Sequence, residues 1–354
     1  KIYEAFEVKG VNLKEEKNEH GANVLLLAAP SLKSEEELNF FLDKGLALDS
    51  KDDEGNGIFN YATKKGNIDF LKLLISKGVD YKTLNNNGGN AFMFASQGGR
   101  GFSNGLPVYT YLKGLGLEPN IVEKNGSTPM HRLAFGNKDA AIFDLFLKAG
   151  ADVNQADEEG NTPFLNAAAR NDLAVVQLLA KDVKDINTAN NDGETALMLA
   201  AHDNKADVVA FLIEKGADIN AKDATGNTAA YFLTDSYSKR NAKAFDAKLA
   251  LLKAKGLKFN TVQGEGNTLY HVAAKKNDLQ LMKKIADFNI DVNAKNDEGM
   301  TALHVAAMKA ENDKLLKFLI AKGADANSKT DFEETVYDLA SENEMLQKGN
   351  TSLN

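Results

Sequence analysis

Apolar residues along this chain recur in short clusters, and their phase is clearest between Asn296 and Lys329, NDEGMTALHVAAMKAENDKLLKFLIAKGADANSK. Gly299 marks a turn, and Thr301 is placed as a helix N-cap whose hydroxyl can accept from the free N–H groups of a first turn. The segment ALHVAA predicts a short helix ending in Ala306 and Ala307, residues small enough to let a neighbouring helix approach closely. Leu315, Leu316, Phe318, Leu319 and Ile320 fall at helical spacing and predict a second helix, which Gly323 stops by supplying a positive φ. The extended piece ADANSK leads onward. One helix pair of this size cannot cover its own apolar face, so the pattern predicts a stack of copies.

The copies are visible on two rulers. Turn glycines or their substitutes stand at Gly21, Gly55, Gly88, Gly126, Gly160, Gly193, Gly226, Gly266, Gly299 and Glu333, steps of 33 or 34 except for one of 38 after Gly88 and one of 40 after Gly226. Helix stops follow at Gly10, Gly45, Gly78, Gly116, Gly150, Val183, Gly216, Gly256, Asn289 and Gly323. Both rulers lengthen in the same two units.

Five segments repeat one motif in phase: TPMHRLA from Thr128, TPFLNAA from Thr162, TALMLAA from Thr195, TLYHVAA from Thr268 and TALHVAA from Thr301. Two units close with GADVN, from Gly150, and GADIN, from Gly216. In these motifs and their period the chain resembles the ankyrin-repeat family. The resemblance covers nearly the whole chain. It implies an all-α solenoid of stacked helix-turn-helix pairs joined by β-hairpin loops, and it carries no enzyme activity. It also implies that His131, His271 and His304, at the motif histidine, bond within and between repeats.

A single solenoid over residues 1–354 is expected, with a partial unit at 1–20, repeats from about 21 to 329 and a C-terminal capping unit at 330–354. Residues 1 to 9 align with the end of a second helix, so either sequence upstream of Lys1 has been removed or left out, or a single helix caps the N-terminal end of the stack. The next three units are degenerate, with Asn23, Gly57 and Asn90 at the cap position and Phe59, Tyr61, Phe92, Phe94, Phe40, Phe41 and Phe70 as bulky core fillers. Insertions near 97–110 and 234–245 fall between the two helices of their units. GGRG in the first lacks the preceding strand and following GK[ST] of a phosphate loop. Val183 resists positive φ, so its helix should end through a different turn. In the last unit Glu342, Asn343, Glu344, Gln347 and Lys348 suit the outer face of a capping helix.

Composition narrows the function. A formal charge of −8, with Arg only at Arg100, Arg132, Arg170 and Arg240, argues against a nucleic-acid surface. No apolar run approaches the roughly 20 residues of a membrane span, so no direct membrane insertion is expected. Cysteine is absent, which removes disulfides and thiolate metal sites. Neither His20 nor His202 has a second metal ligand nearby in sequence, and no metal or cofactor is expected. Many Asn and Lys with little Arg associate with an AT-rich bacterial genome, and the missing cysteine leans toward an exported, periplasmic form.

Carboxylate pairs such as Glu158 with Glu159 and Asp297 with Glu298 stand on hairpin tips in water, where nothing raises a pKa, and no nucleophile motif accompanies them. What remains is binding. The concave side implied by the family is lined by hairpin tips and the exposed ends of first helices. The candidate partner-binding residues are Lys124, Glu158, Glu159, Asn191, Asp192, Asp297 and Glu298 on the tips, and Phe135, Arg170, His202, Asp203 and Met308 on the helix ends. Lys64, Lys65, Ala169, Lys275 and Lys276 occupy further helix-end positions. A mainly acidic or amide-bearing tip row favours a protein partner with basic or polar groups. The expected function is a non-enzymatic protein-interaction module, a monomer within a hetero-complex. An inhibitor or immunity-type protein blocking one enzyme's active site would use the same surface.

Overall fold

The computed structural model describes residues 12–97 and 104–348. The alignment of residues 1 to 9 with a helix end, and Arg100 and Phe102 of the first insertion, lie outside them. The chain forms two compact units, 1–184 and 185–354. Among the described residues all regular secondary structure is helical, apart from isolated antiparallel bridges at hairpin necks such as Lys51 with Gly57 and Lys295 with Thr301.

In the first unit the helix pairs are α1 (Val24–Ala28) and α2 (Glu35–Leu42), α3 (Ile58–Thr63) and α4 (Ile68–Ser76), α5 (Ala91–Ala95) and α6 (Leu106–Gly114), α7 (Pro129–Ala134) and α8 (Ala140–Lys148), and α9 (Pro163–Arg170) and α10 (Leu173–Leu179). Successive first helices pack on one another from α1 through α9, and α6, α8 and α10 form the second layer. Six of the seven expected aromatic fillers are buried, Phe59, Phe92 and Phe70 almost completely and Tyr61, Phe94 and Phe41 nearly so, whereas Phe40 is only half-buried. Phe92, Tyr109 and Phe146 meet as an aromatic cluster, with centroids 5.6 to 6.4 Å apart. Rings here supply the volume that other units fill with alanine and leucine.

The second unit repeats the scheme with α11 (Ala196–Asp203) and α12 (Ala206–Glu214), α13 (Ala229–Asp235) and α14 (Ala242–Ala254), α15 (Leu269–Lys275) and α16 (Leu279–Ile285), α17 (Ala302–Lys309) and α18 (Lys314–Ala321), and α19 (Val336–Glu342) and α20 (Glu344–Lys348). First helices α11, α13, α15, α17 and α19 pack in series.

Local chemistry sets these boundaries. Asn23 and Asn90 cap their helices by accepting from Leu26 N and Phe92 N. In the motif units the capping threonine is itself held from behind. Thr128, Thr268 and Thr301 donate their backbone N–H to Nδ1 of His131, His271 and His304 at 3.0 to 3.1 Å. A backbone N–H must donate, so Nδ1 is an acceptor and the proton sits on Nε2. Nε2 in turn donates to Asn161 O, Met300 O and Ser328 O at 2.9 to 3.0 Å, tying each repeat to the next hairpin. Two units without the histidine carry a substitute. Gln263 accepts from Thr228 N at 2.9 Å, and Asp338 accepts from Thr335 N at 2.8 Å.

Gly323 stops α18 at φ 95°, and Asn289 and Glu333 take the same left-handed region at 53° and 63°. Val183 is not in that region. Its helix closes instead through short-range bonds of Lys181 N to Leu178 O and Asp182 N to Leu179 O. The second insertion yields a short turn, closed by Asn241 Nδ2 donating to Ser236 O, followed by the 13-residue α14.

In the last unit Glu342, Glu344 and Gln347 are exposed as the capping reading expects, and one position needs correction. Asn343 does not face outward: its Nδ2 donates to Ala307 O and Ala310 O, both at 2.9 Å. Tyr337 is 71% exposed, although its counterpart one repeat earlier, Leu303, is fully buried.

A candidate partner-binding face

The hairpin tips are held in register by the backbone. In the first unit Asp53 N donates to His20 O, Asn86 N to Glu54 O, Lys124 N to Asn87 O and Glu158 N to Asn125 O, at 2.8 to 3.0 Å. In the second unit Ala224 N donates to Asp192 O, Asp297 N to Glu265 O and Asp331 N to Glu298 O. Within each unit a bonded tip thus fixes its neighbour, and side chains that cannot reach the core project to solvent. Tight approach demands glycine here. A Cβ on Gly126, at φ 78°, would lie 2.7 Å from Ala156 O.

Lys124, Glu158 and Glu159 stand exposed on this row in the first unit, and Asn191, Asp192, Asp297 and Glu298 do so in the second. Phe135 is 51% and Met308 44% exposed, and Arg170 is exposed at the end of α9. Ala169, by contrast, is buried. His202 is half-buried, and Asp203 beside it is exposed.

Sequence reasoning missed how these helix ends interact. In the first unit the Lys64 ammonium lies over the rings of Tyr61 and Phe94, 4.5 and 5.5 Å from their centroids, and burial holds its pKa below the usual lysine value. Arg132 donates to Met93 O at 3.0 Å and pairs with Glu123 at 2.9 Å.

In the second unit the ends of three consecutive first helices meet. His202 Nδ1 is 2.8 Å from Asp203 Oδ1 and its Nε2 is 3.6 Å from Asp235 Oδ2. Lys276, after α15, lies 3.6 Å from Asp235 Oδ1 and donates to the Asp235 carbonyl. From beneath, the buried ammonium of Lys248 donates to Ala201 O at 2.5 Å and His202 O at 3.1 Å, and burial pushes its pKa down to about 8. Asp235 raises the His202 pKa, burial opposes it and Asp203 adds to the rise; the imidazole and Lys276 hold Asp235 below the carboxylate range. The cluster borders a cleft of about 400 Å³ lined by Glu194, Asp203, Asp223, Asp235, His202 and Tyr231. Asp235 was legible in principle: it stands seven residues after its cap, Thr228, as His202 does after Thr195.

Among the described residues no helix is long and apolar enough to cross a membrane, and no three His, Asp or Glu side chains are placed to hold a metal ion.

Comparison with known proteins matches a model of ankyrin repeats (3 copies) to residues 101–189, 133–223 and 238–330, together more than half of the chain. Notch-regulated ankyrin repeat-containing protein A of Danio rerio is 31% identical over 88 residues, 25% of this chain and 78% of that protein. Inactive serine/threonine-protein kinase TEX14 of Mus musculus is 33% identical over 100 residues, 28% of this chain but 6% of the kinase. The chain therefore spans only a small part of the second relative.

Proposed function

Because the chain belongs to the ankyrin-repeat family, whose repeats generally serve protein–protein interaction, we propose that it is a non-enzymatic module holding one protein partner on its hairpin tips and first-helix ends. The observation that carries this reading is the row of tips within each unit, where backbone bonds between neighbours hold the exposed side chains at fixed spacing. A rigid, prearranged surface loses little entropy when it binds. Its side chains are mostly carboxylates and amides, so the partner presents basic or polar groups. Glu158, Glu159, Asn191, Asp192, Asp297 and Glu298 steer and orient it. Phe135, Arg170 and Met308 are exposed anchors of the residue types that dominate interface energetics. Lys124, His202 and Asp203 complete the face. The partner is a protein and not a nucleic acid, and this chain enters the complex as a monomer.

Charge reversal tests the reading. The quadruple variant Glu158→Lys, Glu159→Lys, Asp297→Lys and Glu298→Lys should lose most of the partner captured by the wild type while keeping its melting temperature. A control variant reversing Asp144 and Glu214, on second helices, should keep it. Capture that survives tip reversal and fails in the control would assign binding to the opposite face.

A further inference from the structure

Four of the five histidines stand in two opposite settings. His131, His271 and His304 are buried, accept a backbone N–H at Nδ1 and are held neutral. His202 faces carboxylates on both ring nitrogens. One carboxylate, Asp203, is on its own helix, and the other, Asp235, belongs to the next repeat. Asp235 is also engaged by Lys276 from the repeat beyond. The remaining groups around the ring in this unit are Tyr231 on α13, Glu194 and Asp223 from the hairpins, and Lys248 of α14, which bonds the carbonyl of His202 and not its ring.

We propose that His202 is a proton-operated clamp between two consecutive repeats, closed when the imidazole is charged and released when it is neutral. A doubly protonated ring donates toward both carboxylates at once, so α11 and α13 are joined through side chains at their solvent-facing ends. A neutral ring carries one N–H. One of the two carboxylates then faces a lone pair and is repelled, and the cleft gains a full negative charge. As regulation of the partner-binding face, this rests on the reading above: release makes that part of the face more acidic and less tightly braced.

The sign follows from which state holds the proton more tightly. Folding favours the charged ring, so the clamp stabilises the protein below the ordinary imidazole value of 6.5 and is lost as pH rises through the higher folded value. The capping histidines behave in the reverse sense, which makes His202 distinguishable in the same sample.

Proton NMR of the histidine ring protons in the full chain, titrated from acid to alkali, reads this without a partner, so its outcome is separate from the binding reading. The His202 midpoint should lie above 6.5 in the wild type and fall in Asp235→Asn. In Lys276→Met, where Asp235 loses its competing cation, it should rise. Urea unfolding should show wild type more stable than His202→Gln at acid pH, the gap closing as pH passes the His202 midpoint. A midpoint at or below 6.5, one that ignores both neighbouring substitutions, or a stability gap independent of pH would overturn the proposal.

Discussion

Asn171 offers a quantitative test of what holds a repeat to the one before it. The residue is 1% exposed and lies between α9 and α10. Its Nδ2 donates to Ala134 O at 2.8 Å and Asn137 O at 2.9 Å, the carbonyls left open where α7 ends, and its Oδ1 accepts from Asp172 N at 2.8 Å. Asn171→Ala deletes both cross-repeat bonds and strands the Ala134 carbonyl, whose residue is fully buried, away from water. At about 1 kcal/mol net per bond, with the desolvation of stranded acceptors added, the loss should be about 2–4 kcal/mol. The matched control is Lys148→Ala, which breaks an exposed pair with Asp144 and should cost about 0.5 kcal/mol or less. Urea unfolding followed by far-ultraviolet circular dichroism measures both, and an unchanged denaturant slope confirms that the unfolded states match. A cost for Asn171→Ala no larger than that of the control would refute the view that side chains capping the preceding repeat hold the stack together.

Other expectations follow from the same geometry. Burial lowers the pKa of His131, His271 and His304. Their neutral form is the folded one, so stability should be full above the ordinary 6.5 and fall as pH drops through the window below it, and His304→Gln should flatten that loss in urea titrations. Lys248 takes the capping role of Asn171 in the longer repeat. Because its folded pKa is about 8 against 10.5 unfolded, the wild type should gain stability relative to Lys248→Met as pH rises between those values, and a gap that shrinks there would contradict the assignment. Gly126→Ala combines a left-handed φ with a Cβ 2.7 Å from Ala156 O and should cost about 1–3 kcal/mol in the same unfolding assay.

Much of this protein was settled by local sequence. The repeat period, the helix pairs, the cap residues, the left-handed helix stop at Asn289 and the left-handed turn at Glu333 depend on each residue's own backbone preference and on neighbours three or four positions away, so a linear pattern contains them. The burial of Phe59, Phe92 and Phe70 follows likewise from their phase on amphipathic helices. What the tertiary structure decided is who meets whom across repeats. Asn171 and Lys248 perform one task with unlike side chains, because a buried helix end requires only that some donor arrive, and Gln263 replaces a capping histidine from 35 residues away for the same reason. Asn343, read as an outer polar position, turned inward under that demand. The charge state of His202 belongs to the same class: two carboxylates from different repeats set it, and although the repeat phase aligns Asp235 with His202, only the packing of α11 on α13 brings them within ion-pair range.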